Sequence, residues 1–236
     1  MKILMRFLLA LVPIAVLLLI VTTNVRVATN SIALYNLLFD RYNVAEGTGI
    51  LAADLPDVGR EFQDYFGNDV ELLQVNAQVF GVEQQLLSDK EVIHMADVKQ
   101  VINLTFRLQE GAGIFLLAMM LGAVAVYRRG ALWEISGWVQ WGALIAILFV
   151  LVVGFISLVA FGPLFTAFHQ LAFTNDFWLL DPRTDYLLKL FPFGFWRDMT
   201  LLIGLATLLE GVVLFLVGRR LTRQDRRDSQ ASFASN

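Results

Sequence analysis

The sequence predicts an all-α membrane protein: four transmembrane helices joined to a small, mostly helical or α+β extracytoplasmic domain. Three observations carry this. The 236 residues are 57% hydrophobic, with a mean hydropathy of +0.64, well above a soluble domain. Four apolar stretches approach or exceed the roughly 20 residues that cross a bilayer. About ninety residues separate the first two stretches, too many for a simple loop.

The first stretch, Phe7 to Thr22, follows Lys2 and Arg6. It is long for a signal peptide and no Ala-x-Ala site follows, so residues 1–22 are expected to form an uncleaved anchor. The second runs from Ala112 to Tyr127, the third from Val139 to Phe161, and the fourth from Leu201 to Val217. Lys2 and Arg6, then Arg128 and Arg129, then Arg219, Arg220, Arg223, Arg226 and Arg227 all fall on one side of such a bundle. That side is expected to be cytoplasmic, with both termini and the basic tail 218–236. Residues 23–111 and 162–199 are then outside. The polar end from Gln224 has the composition of an unstructured segment.

The first outer segment is acidic. Ser31 before an apolar run to Phe39 signals a short helix. Asp54 to Phe66 reads as another, with Pro56 near its start and Val58, Phe62 and Phe66 at helical spacing. Val70 to Phe80 alternates weakly, as a strand would. Ser88-Asp-Lys-Glu91 is a capping box that opens a helix carrying His94, with Asp97 one turn on. A straight helix would put His94 about 25 Å beyond Gly111. Either the chain bends near Gly111 and Gly113, or the membrane begins nearer Val101. The second option places Arg107 and Glu110 in the outer leaflet, where charges need partners.

In the second outer segment Gly162-Pro163 should end or kink the third span. His169 follows within two turns. Asp181-Pro182 reads as a helix cap and first residue. Phe191 to Trp196 suits the headgroup layer. Glu210 lies inside the fourth span and is expected to snorkel or to pair with Arg219 or Arg220.

The chain has two histidines, His94 and His169, and no cysteine. A thiolate nucleophile, disulfides and thiolate metal sites are excluded. Each histidine alone reads most simply as a surface or interfacial residue. Both on one side of a membrane suggest a pair able to move a proton near neutral pH. No His-x-x-x-His spacing, phosphate loop, dinucleotide fingerprint or nucleophile elbow is present. No metal, cofactor or nucleic-acid partner is expected.

Two segments together carry a more specific signal. His94-Met95-x-Asp97-Val98-Lys99 is followed by Phe168-His169-x-Leu171-x-Phe173-x-Asn175-Asp176-x-Trp178-Leu-Leu-Asp181-Pro182-x-Thr184-Asp185, then Phe191-Pro192. This pattern resembles the bacterial lipoprotein intramolecular transacylase (Lit) family of four-span membrane proteins. Ala172 stands where a second aromatic is expected, and Phe193-Gly194 where an acidic residue is usual. The resemblance implies an acyltransferase of the bacterial plasma membrane. Its partners would be membrane lipids and a diacylglyceryl lipoprotein. It would move the sn-2 acyl chain onto the α-amino group of the N-terminal cysteine, giving a lyso-form lipoprotein. It also implies His94 and His169 as catalytic residues, one as base and the other as oxyanion donor or acid. With Asp97 orienting it, His94 is the first choice for the base, and the reverse stays open. Asn175, Asp176, Arg107 and Asp185 are the remaining orienting or substrate-binding candidates. The competing class is a non-enzymatic membrane protein whose acidic domain docks a partner.

Overall fold

The computed structural model describes residues 2–234, apart from the side chains of residues 2–6, 129 and 224–234. The orienting basic residues Lys2, Arg6, Arg129, Arg226 and Arg227 therefore have side chains outside the described residues. Four helices are long and apolar enough to cross a membrane: α1 (Lys2–Thr29), α5 (Asp89–Tyr127), α6 (Ala131–Val159) and α9 (Phe193–Ala234). The others are short: α2 (Ile32–Arg41), α3 (Val44–Thr48), α4 (Leu55–Gly67), α7 (Phe161–Ala172) and α8 (Tyr186–Leu190). The fold is thus an all-α membrane protein with one small hairpin, β1 (Asn76–Val79) and β2 (Val82–Gln85).

Residue contacts divide the chain into two compact units. The first holds Met1–Val25, Phe106–Phe155 and Ile203–Asn236. Its core is a cluster of Val12, Val16, Ile20 and Ala146 with Leu17, Phe115, Leu116 and Leu214 against it. Helices approach closely where α6 offers a glycine: a Cβ on Gly142 would lie 2.4 Å from Val16 Cβ. Small residues at helix crossings are a usual device where lipid, not water, surrounds the bundle. Buried polar groups here are paired. The Asn24 amide donates to Thr207 Oγ1 at 3.1 Å and to Glu210 Oε2 at 2.8 Å. Glu210 therefore pairs across to α1, not with Arg219 or Arg220 as its position suggested.

The second unit holds Arg26–Thr105 and Ile156–Leu202. Ser31 caps α2, its hydroxyl accepting from the Leu34 amide. Pro56 sits in the first turn of α4, where its missing N–H costs nothing. The strand expected over Val70–Phe80 forms only from Asn76 to Val79, and the chain turns back at Phe80 and Gly81, both with positive φ. Two such residues make the tight hairpin turn that matches strand twist. The Phe80 ring lies over Gly49, where a Cβ would approach within 2.5 Å.

Helix α5 runs 39 residues without a break at Gly111 or Gly113. The chain breaks instead at Ala160, between α6 and α7, and Pro163 is accommodated in the first turn of α7. Asp181-Pro182 opens a turn, not a helix: the Arg183 amide donates to Asp181 Oδ1, and the Thr184 and Asp185 amides to Asp181 O. The N-cap position of α8 belongs to Asp185, four residues on. Helix α9 continues through the polar end expected to lack structure.

The core of this unit is aromatic. Tyr35, Phe39, Phe62, Phe191 and Phe195 form edge-to-face and tilted pairs with centroids 4.9–6.1 Å apart. Gly194 belongs to this packing. A Cβ there would stand 2.3 Å from the Tyr42 ring, whose hydroxyl donates to Asp198 Oδ2 at 2.7 Å.

Candidate active site

The start of α5 is fixed before His94 is reached. Glu91, 1% exposed, accepts from the Ser88 amide and hydroxyl through Oε2, at 2.8 and 2.7 Å. That is the capping box legible in the sequence. Its other oxygen, Oε1, accepts from the Leu187 amide at 2.7 Å. One buried carboxylate therefore satisfies free N–H groups at the first turns of both α5 and α8. The second half of this arrangement has no local sequence signal, since Leu187 is 96 residues away.

One turn along α5, His94 is buried, and so is His169 on α7. Their rings lie 6.0 Å apart, centroid to centroid, inclined by 32°. The two histidines that topology could only place on one side thus converge. Aromatic rings enclose them: Phe165, Phe168, Phe173 and Trp178 lie 4.1–5.5 Å from His169, and Phe173 also contacts His94 edge-on at 5.2 Å.

The hydrogen bonding of the pair is unequal. The His169 Nδ1–H donates to the Phe165 carbonyl, one turn back on α7, at 2.7 Å. A carbonyl only accepts, so Nδ1 carries the proton and neutral His169 has its lone pair at Nε2. His94 Nδ1 is buried without a hydrogen-bond partner. Burial pushes His94 down to about 4, helped by His169 and Lys90 and opposed by Asp97. Burial also lowers His169, against the opposing effect of its bond to Phe165. Both imidazoles are neutral at pH 7.

Asp97 does not hold His94 Nδ1. Its Oδ2 accepts from the Asn175 amide at 2.9 Å, while Asn175 Oδ1 accepts from the Phe177 amide at 3.1 Å. Asn175 thus ties the segment after α7 back to α5. Lys99, in the first motif, is buried and bonds the Val70 carbonyl and Asn68 Oδ1, a structural link. Asp185 accepts from the Asp181 amide at 2.7 Å and from Thr184 Oγ1 at 3.1 Å, shaping the turn before α8. Asp176 and Arg107 are exposed, and neither lines the cavity described next.

Both imidazoles border a cavity of about 190 Å³. Apart from them and Thr29, its lining is apolar, with Met95, Val98, Val101 and Ile102 of α5 facing Phe62, Phe66, Phe191 and Trp196. Phe62 and Phe66 were legible as one face of α4 but not as walls of a site. Among the described residues no group of three or more acidic or histidine side chains could hold a metal ion.

The profile of the family lipoprotein intramolecular transacylase Lit matches residues 10–196. This chain belongs to that family. The likeness extends to solved structures of the membrane-integral Lit of Bacillus cereus. One aligns with a TM-score of 0.79 at 17% identity, covering 96% of this chain and all of that one. Another, carrying a histidine-to-arginine mutation, aligns at 0.73 and 16% identity, covering 94% of each. At such identity these likenesses establish the Lit fold. An uncharacterized protein of Aquifex aeolicus is 24% identical over 135 residues, and the match spans 57% of the length of each chain.

Proposed function

We propose that this Lit-family chain is a lipoprotein intramolecular transacylase. In this reading it moves the sn-2 acyl chain of a diacylglyceryl lipoprotein onto the α-amino group of the same N-terminal cysteine. The observation that carries the reading is the pair of neutral, buried imidazoles at the edge of an otherwise apolar cavity. Family membership supports the class of reaction.

In the proposed step the α-amine attacks the sn-2 ester carbonyl. The amine proton passes to one imidazole and from it to the leaving glycerol oxygen. An amide forms, an ester breaks, and the product carries a free 2-hydroxyl. The hydrogen bond to Phe165 favours His169 as the base, because its free Nε2 is an acceptor. That reverses the assignment preferred from the sequence. His94, kept neutral, then serves as N–H donor to the oxyanion. Amine and ester belong to one molecule, so orientation alone can supply roughly 7–11 kcal/mol of the barrier reduction. Asn175 holds Asp97 and with it the loop behind His169. The clusters of arginine and lysine support an orientation with both termini cytoplasmic and the imidazoles on the outer face.

The test is mass spectrometry of lipoprotein N-terminal peptides from a host that makes only the diacylglyceryl form. Wild-type chain is expected to yield the N-acyl, mono-ester product. His94→Ala and His169→Ala should each lower its rate by roughly 10²–10⁴-fold while the protein still inserts. Undiminished product in both variants overturns the reading.

A further inference from the structure

Five cavity residues of α5 follow a helical stripe: His94, Met95, Val98, Val101 and Ile102. The spacing of one, four, seven and eight from His94 keeps them on one face. At about 1.5 Å per residue the wall they form extends about 12 Å along the helix from the imidazole. No charged or amide side chain interrupts it. Val98 and Val101 are the short, β-branched members of this stripe, so a larger side chain at either would intrude on the cavity they line.

We propose that this stripe is the slot for the migrating acyl chain, and that Val98 and Val101 set which chain length is transferred. The inference rests on the transacylase reading above and specifies its substrate. The carbonyl under attack must lie by the imidazoles, and its hydrocarbon leaves from that same atom. The chain that starts beside His94 and runs along an apolar wall is therefore the one being moved. The retained chain branches from glycerol further off. The peptide is excluded because its amide groups would lose their hydrogen bonds to water in such a cavity. Each methylene held in the slot should favour binding by roughly fourfold, so the wall discriminates by length.

Two diacylglyceryl peptides that differ only at sn-2, one decanoyl and one butanoyl, would compete for the full-length protein in detergent; the first matches the length of the wall and the second ends before Val98. The product N-acyl group is then read by mass. Wild type should prefer decanoyl. Val98→Phe should lower the decanoyl-to-butanoyl ratio of kcat/KM at least tenfold, and Val101→Phe should act in the same direction. A general loss of folding would depress both chains equally and leave the ratio alone, so the ratio isolates the slot. An unchanged ratio in both phenylalanine variants overturns the slot. The transacylase reading survives that result as long as His94→Ala and His169→Ala abolish transfer of either chain. Where Val98→Phe does not insert, Val98→Leu and Ile102→Ala must shift the ratio in opposite directions, or the slot is again refuted.

Discussion

His94 and His169 share burial, neutrality and a wall of the same cavity, yet they are held in different ways. His169 is tethered by its own helix through the Phe165 carbonyl and packed by four aromatic rings. His94 stands on the first turns of a 39-residue helix, with its Nδ1 unpaired and the nearest fixed point the Glu91 carboxylate. A tethered Nδ1–H dictates where the lone pair is. An unpaired Nδ1 leaves the ring free to present a proton. In the proposed step this difference makes His169 the base and His94 the donor.

Glutamine substitution is the sharpest way to break this comparison. A glutamine amide can still donate an N–H near the position of the imidazole Nε2, but it cannot act as a base. His94→Gln should keep at least tenfold more activity than His169→Gln, and the latter should be near the alanine level, roughly 10²-fold or more below wild type. Equal losses, measured as initial rates of N-acyl product formation, would reject the division of roles.

Acid should also distinguish the two. Unfolded histidine takes a proton near pH 6.5, whereas folded His94 resists until about 4. The stability this contributes is complete above pH 6.5 and is lost as pH falls toward 4, up to about 3 kcal/mol. His169 is shifted in the same direction. Thermal unfolding in detergent should therefore weaken over that window. His94→Phe should flatten the dependence; a slope unaltered by the substitution would show that His94 charges freely in the folded state.

The smallest effect concerns the support of His94 alone. Glu91→Gln replaces one of two acceptor oxygens with a donor, facing either Ser88 or Leu187. One buried N–H then goes unsatisfied, at about 1–3 kcal/mol. The midpoint of thermal unfolding should fall accordingly. Exchange at the Leu187 amide should rise, while exchange at the α7 amides around His169 should stay as in wild type.

What could be read in advance follows the range of the forces involved. Membrane helices declare themselves through twenty-residue runs of apolar side chains, and the capping box through four adjacent residues. The hairpin was blurred because a phenylalanine occupies a left-handed turn position where Asn is the usual signal. Asp181-Pro182 carries the chemistry of a cap and was used for a turn, since both motifs satisfy the same backbone N–H groups. The two histidine motifs were visible individually. Their meeting, the transfer of Asp97 to Asn175 and the conversion of Phe62 and Phe66 into cavity wall depend on contacts between segments far apart in sequence.

The Glu91 carboxylate has a consequence for the order in which the protein comes into being. As the chain is synthesised, α5 can start with Ser88 alone as its partner. Leu187 emerges 96 residues later, after the rest of α5, the long apolar helix α6 and the short α7. Until then the most enclosed carboxylate of the second unit has half of its bonding unmade, in surroundings that otherwise exclude water. The His94 end of the site is therefore among the last parts to be locked. A chain that stalls before residue 187 carries both histidines without a finished site to hold them.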